Sequence, residues 1–257
     1  MPTSNPPVSC YIRTLNEERV IERTVRAARA LVDEVIVIDS GSTDHTVALA
    51  EAAGARVLFQ PWLGLGGQKR VGEQACRHDW LLDLDADEVV SLELVDEIRE
   101  LFKNGEPTVK IYGLKKVTVP PVGTPFGAAY SNKLYDRRVI RMPNHRAWDQ
   151  LSVPAGTPTR RLRGALLHHS FRDFANYVEK MNRTSTMMAQ DGRTKSKAEL
   201  WLRIVFATPF YFFKAYFFRG LYRAGLYGFA LARMSAYGRW MRDVKLYETV
   251  LLRSKQK

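Results

Sequence analysis

Four carboxylates crowd together at Asp83, Asp85, Asp87 and Glu88. They close the run His78-Asp79-Trp80-Leu81-Leu82-Asp83-Leu84-Asp85-Ala86-Asp87-Glu88, which passes from apolar to acidic. An apolar run of this length reads as a strand, and acids at alternate positions share one of its faces if it stays extended as far as Asp87. Carboxylates packed so closely repel one another unless a cation lies among them. Hard divalent ions such as Mg²⁺ and Mn²⁺ are held by one or two carboxylates completed by phosphate oxygens. The chemistry on offer is therefore metal-assisted handling of a phosphate-bearing substrate. The same residues also read as a solvated acidic turn ahead of a helix from about Ser91, and the stretch alone does not separate the two.

The elements that must position these acids are strands alternating with helices. Residues 8–14 (VSCYIRT) form the first predicted strand, and Asn16 stands where a helix N-cap would be, before an apolar stripe at helical spacing. Residues 34–39 (EVIVID) are a near-continuous apolar run, typical of a strand buried on both faces. A helix over 45–53 stops at Gly54, and 56–60 is a third strand. Residues 61–67 (PWLGLGG) read as a mobile loop, and 68–77 as a third helix leading into the acidic strand. This alternation predicts a mostly parallel sheet with flanking helices. Ligands of such sheets bind outside the C-terminal strand ends. Those ends hold Thr14, Asn16 and Glu17, then Asp39, Ser40, Ser42 and Asp44, then the acids. No G-x-G-x-x-G follows the first strand and no Gly-Lys-Ser/Thr occurs, which argues against dinucleotide and P-loop chemistry.

Beyond about Glu106 the pattern changes. Strands are predicted over 109–119 and 133–141, around a Pro/Gly-rich loop at 120–127, and a helix over 173–190 ended by Asp191-Gly192. The net charge of +12 is concentrated late: thirteen Lys/Arg face three Asp/Glu from Lys195 onward. Domains are accordingly expected at 1–194 and 195–257. In the tail, Lys214, Arg219, Arg223, Arg233 and Arg239 punctuate a stretch dense in Phe, Tyr and Trp. Basic residues interleaved with aromatics suit a helix lying in a membrane interface. Acids in the body argue against nucleic acid as the partner. Two cysteines without metal-type spacing, and a start without an apolar leader, point to a cytoplasmic protein peripheral on the inner face of the membrane.

RTLNEE (13–18), VIVIDSGSTDHT (35–46), the region around Gln68-Lys69-Arg70 and LDADE (84–88) together resemble a family-2 glycosyltransferase of the GT-A fold. The likeness is greatest to the lipopolysaccharide core β-1,4-glucosyltransferase group and spans residues 8 to about 100. It implies an inverting enzyme with a UDP-sugar donor, a divalent cofactor (Mn²⁺ or Mg²⁺) and a lipopolysaccharide-core or lipid-linked acceptor. On this resemblance Thr14, Asn16 and Glu17 meet the uridine, Asp39 the base or ribose, and Lys69 the base or diphosphate. Asp85 and Asp87 match the D-x-D pair, with Asp87 on the metal beside His169, His168 being the other candidate. Asp149 is the expected general base; the resembling group often has His-Glu where this chain has Trp148-Asp149. A metal-dependent nucleotidyltransferase and a non-catalytic membrane- or nucleic-acid-binding protein are the competing classes.

Overall fold

A computed structural model describes residues 5–146, 148–190 and 195–255. Its strands are β1 (Val8–Thr14), β2 (Glu34–Asp39), β3 (Arg56–Phe59), β4 (Trp80–Asp85), β5 (Glu88–Val90), β6 (Ile111–Thr118), β7 (Phe126–Asp136) and β8 (Arg160–His168). The helices are α1 (Ile21–Leu31), α2 (Thr46–Ala52), α3 (Leu65–Ala75), α4 (Leu92–Phe102), α5 (Phe174–Gln190), α6 (Lys197–Phe213) and α7 (Gly225–Lys255). One sheet takes all eight strands in the order β3-β2-β1-β4-β7-β6-β8-β5. The β3-β2-β1-β4 half is parallel, as the alternation with helices requires, and β7 joins it antiparallel to β4. β5 follows β4 across a two-residue turn yet pairs with β8 at the other end of the order, so the sheet must curl.

Two compact units emerge. The first takes residues 1–117 and 128–169, the second 118–127 and 170–257. Alternation along the strands of the first unit sorts side chains between two cores. Val8, Cys10, Ile12, Val35, Val37, Leu82 and Leu84 pack with α1 and α4. Tyr11, Ile36, Ile38 and Leu81 turn to the opposite face, where Cys76 and Val71 also lie. By the same period Asp83 and Asp85 follow Leu81, and Arg13 follows Tyr11, onto that second face. The acids of β4 therefore point to the α3 side.

Three local expectations are corrected. Asn16 is not a helix cap: α1 starts at Ile21, and Asn16 has φ +53, a left-handed turn conformation that its short amide tolerates. Residues 65–67 are not loop but the first turn of α3. The strand predicted over 133–141 ends at Asp136 and begins earlier, at Phe126. The expected stop at Asp191-Gly192 lies outside the described residues. The second unit holds α5, α6 and α7, and a π-helical stretch over Lys214–Phe218 and a 3₁₀ turn over Leu221–Ala224 join α6 to α7. Its buried clusters are Phe171, Ala215, Leu221, Leu231 and Ala232, and Ala189, Leu200 and Leu246.

Candidate active site

β4 ends at Asp85, and the chain turns through Ala86 and Asp87 before β5. Asp83 and Asp85 thus share a strand face while Asp87 sits on the turn. Glu88 builds that turn by accepting the Asp85 N–H at 3.0 Å. Thr24 Oγ1 donates to the Ala86 carbonyl at 2.7 Å, and the His169 N–H to the Asp87 carbonyl at 2.8 Å. Helix α1 and the end of β8 therefore both hold the acid turn in place.

The cations paired with Asp83 and Asp85 come from three elements. Lys69, on α3 and 2 % exposed, lies 2.9 Å from Asp83, 3.4 Å from Asp85 and 3.6 Å from Asp149. Lys133, on β7, lies 2.7 Å from Glu88, 3.5 Å from Asp85 and 3.8 Å from Asp83. Arg13, at the end of β1, gives its Nε to Asp85 and its Nη2 to Asp149, both at 2.9 Å. Its planar fork thereby fixes two carboxylates at once. Burial alone would raise the Asp85 carboxyl, yet Lys133, Lys69 and Arg13 hold it well below the usual range. Burial works against the charge of Lys133, but Asp83, Asp85 and Glu88 raise its pKa well above the ordinary lysine value.

Asp149 reaches this cluster because α3 docks its loop. Glu73, fully buried, accepts the Met142 N–H at 2.7 Å, and Arg70 donates to the Met142 carbonyl at 2.7 Å. One turn earlier the Leu65 and Gly66 N–H groups donate to the carbonyls of Arg146 (2.8 Å) and His145 (2.9 Å). These are among the N–H groups that a helix start leaves without an internal partner. Glycine is needed there for close approach: a Cβ on Gly66 would stand 2.3 Å from the Pro143 carbonyl oxygen and 2.4 Å from that of Trp148. Gly66→Ala is therefore expected to push the loop off α3 and to lower turnover by about 10²-fold, the scale of a misplacement near 1 Å. Steady-state turnover checks this; a rate near wild type would show that α3 does not set the loop.

The other predicted residues gather at the ends of β1 and β2. Asp39 accepts from the Gly41 and Ser42 N–H groups and from Ser42 Oγ, so both its oxygens shape the turn after β2. The Asn16 N–H donates to Ser42 Oγ and its Oδ1 accepts from the Thr43 N–H, both at 2.9 Å. The Glu17 N–H donates to Thr46 Oγ1 at 2.8 Å. The two loops are thus laced together, and Asn16 belongs to the lacing. Thr14 Oγ1 is buried with no hydrogen-bond partner among the described residues, an open polar valence at the strand end.

His168 Nε2 lies 3.3 Å from Asp87 Oδ2. The His169 ring is pushed down to about 4 by burial and by Arg23 and Arg19, so it is neutral at physiological pH, the form that ligates metals. No group of three or more His, Cys, Asp or Glu able to hold a metal occurs among the described residues. A carboxylate with an adjacent imidazole fits a divalent ion only if substrate oxygens complete its shell, which is how Mg²⁺ is ordinarily held beside phosphates.

The pattern of glycosyl transferase family 2 matches residues 9–162. An uncharacterized glycosyltransferase from Rickettsia bellii is 34% identical over 258 residues, covering 95% of this chain and 87% of its own. The chain belongs to glycosyltransferase family 2. As a glycosyltransferase it is an enzyme, and its curled α/β sheet with acids at the strand ends is the GT-A arrangement expected from the sequence. The lipopolysaccharide core biosynthesis glycosyltransferase LpsC of Rhizobium meliloti is 29% identical over 263 residues, 97% of this chain and 95% of that one. A crystal structure of glucosyl-3-phosphoglycerate synthase from Mycobacterium tuberculosis, in complex with Mn²⁺, UDP and glucosyl-3-phosphoglycerate, matches at 29% identity with a TM-score of 0.37. That match covers 44% of each chain.

Within this glycosyltransferase Lys69, Asp85 and Asp149 come together, and Asp87 meets His168. Arg13 and Lys133 are the members that sequence reasoning missed. Arg13 stood inside the RTLNEE motif, and its register opposite Asp85 was the available signal. Lys133 stands alone in its strand and offered none.

Proposed function

We propose that this glycosyltransferase moves a sugar, glucose by the resemblance of its motifs, from a UDP-sugar to a lipopolysaccharide-core or lipid-linked saccharide at the inner membrane surface. Transfer proceeds with inversion and with a divalent cation. The observation that carries this reading is the convergence of Asp149, on its own loop, with Lys69 and Asp85 at the C-terminal ends of parallel strands. An acceptor-side carboxylate next to donor-side acids is what a single displacement needs. Asp149 takes the proton of the acceptor hydroxyl as that oxygen attacks the sugar carbon from the face opposite the diphosphate. Arg13 and Lys69 hold Asp149 against the donor cluster, and Lys69 adds positive charge beside the leaving phosphates. Asp87 with His168 or His169 would hold the cation, which when bound offsets charge on the departing diphosphate. The name of the full-length relative LpsC supports a lipopolysaccharide-core acceptor. Thirteen cations in the tail, together with aromatics such as Phe206, Phe210 and Phe218 that stand more than half exposed, support a membrane surface. None of the described helices is long and apolar enough to cross a membrane.

Calorimetry with UDP, GDP and their glucose conjugates, with and without Mn²⁺, tests the donor. UDP-glucose is expected to bind more tightly with Mn²⁺, and Asp87→Ala to lose that gain, about 10–100-fold. Equal binding in excess chelator would remove the metal from this reading. Failure of every UDP-sugar to bind with Mn²⁺ would remove the donor.

A further inference from the structure

The second unit contains a basic cavity that shares no residue with the acid cluster. It has a volume of ≈ 200 Å³ and lies between α5 and α7, with Arg219, Arg239 and Arg242 in its wall beside Tyr177, Met181 and Met188. Gly238 lets the two helices approach, since a Cβ there would stand 3.1 Å from Met181 Sδ. Arg203 adds a fourth arginine through Asp243, which it shares with Arg242. Of the acids paired with them, Glu199 lies 4.0 Å from Arg203, and Asp243, 1 % exposed, is already committed. It receives Arg203 at 3.0 Å and Arg242 at 3.1 Å. Arg239 lies over the Tyr211 ring at 5.3 Å, a contact that attracts the cation without neutralising it. Arg219 and Arg239 have no carboxylate partner among the described residues. Burial, and then Arg219 and Arg242, pull Arg239 below the ordinary arginine range, the signature of a cation among cations.

Crowded guanidinium groups in a walled cavity call for an anion, and the planar fork of arginine matches phosphate. A second feature of the same unit narrows its source. Trp201, Leu202, Val205, Phe206, Phe210 and Phe213 of α6 are all about half exposed or more, and they recur at three- to four-residue spacing. Phe217 and Phe218 extend this surface, with Phe218 88 % exposed. A free phosphate has no use for such a face. A phospholipid supplies both a phosphate and an apolar medium for the rings.

We propose that Arg219, Arg239 and Arg242 form a binding site for the phosphate of an anionic phospholipid headgroup. This deepens the membrane-surface part of the function proposed above and rests on it. The test is flotation of the full chain with vesicles of phosphatidylcholine, and with the same vesicles doped with phosphatidylglycerol. Neither donor nor acceptor is present, so the result is independent of turnover. Wild type is expected to prefer the doped vesicles, and Arg219→Gln with Arg239→Gln to lose that preference by about ten- to thirtyfold. Phe218→Ser is expected to weaken binding to both vesicle types alike. The Arg219→Lys, Arg239→Lys pair keeps charge and stem while losing the fork. It is expected to fall between wild type and the Gln pair, and it serves if the Gln pair does not fold, as judged by circular dichroism. Failure of wild type to bind doped vesicles overturns the membrane reading and the site together. A folded Gln or Lys pair that binds them as wild type does overturns the site alone. Arginine-dependent binding of inorganic phosphate without any effect on vesicle binding overturns the lipid assignment.

Discussion

Asp149→Asn is expected to lower sugar transfer by about 10²–10⁴-fold, the usual contribution of a positioned general base. Donor binding should stay within a few-fold of wild type. The substitution preserves shape, so the amide oxygen can still accept from Arg13 Nη2, which lies 2.9 Å from the native carboxylate. The backbone bonds from Leu65 and Gly66 to Arg146 and His145 are untouched and keep the loop on α3. What disappears is the proton acceptor that the proposed mechanism requires. Asp149→Glu restores a carboxylate with one more methylene and should recover part of the rate. The contrast with Gly66→Ala separates chemistry from placement, because that change leaves the acid intact and moves its loop. Single-turnover transfer from donor-saturated enzyme measures the step directly. A rate within a few-fold of wild type in the Asn variant would place the base elsewhere.

Those features of the fold that rest on repetition were legible in the sequence. β1, β2, β3 and β4 start at 8, 34, 56 and 80, where the apolar runs begin. Gly54 ends the second helix region with φ +93, and Ser91 caps α4 by accepting from the Leu94 N–H. Features that depend on one residue in a tertiary setting were hidden. Asn suits a helix cap and a left-handed turn equally well, so only the lacing to Ser42 and Thr43 decides the role of Asn16. Glycines at 64, 66 and 67 read as loop because glycine weakens helices. Gly66 is conformationally costly in α3, and what it permits, with Gly64 at the helix start, is contact with a backbone about eighty residues away, which no local pattern encodes. The D-x-D acids were visible as types. Whether both stay on the strand face was not, because the chain turns directly after Asp85.

Lys133→Met is expected to cost about 3–5 kcal/mol of stability, read from the denaturant midpoint, the range for removing one partner of a buried ion pair. Lys133 is 3 % exposed, and its neighbours Asp83 and Glu88 are 2 % and 0 % exposed. Methionine fills similar space, so cavity formation contributes little. The cost is electrostatic: Lys69 remains for Asp83, Arg13 for Asp85 and Lys116, at 3.3 Å, for Glu88, and three cations must then hold four carboxylates, Asp149 among them. Removing the Glu88 charge as well, in Lys133→Met with Glu88→Gln, should recover part of the loss, and the coupling is measured by a double-mutant cycle. A loss below about 1 kcal/mol, the level of an exposed pair, would show that water reaches the cluster and that Lys133 is dispensable. The same variant should also lose activity at temperatures where it stays folded. Glu88 orders the turn that presents Asp87, and Lys133 lies 2.7 Å from the Glu88 oxygen that accepts the Asp85 N–H. A lysine with no motif around it thus supports the geometry of the acids whose spacing first suggested a site.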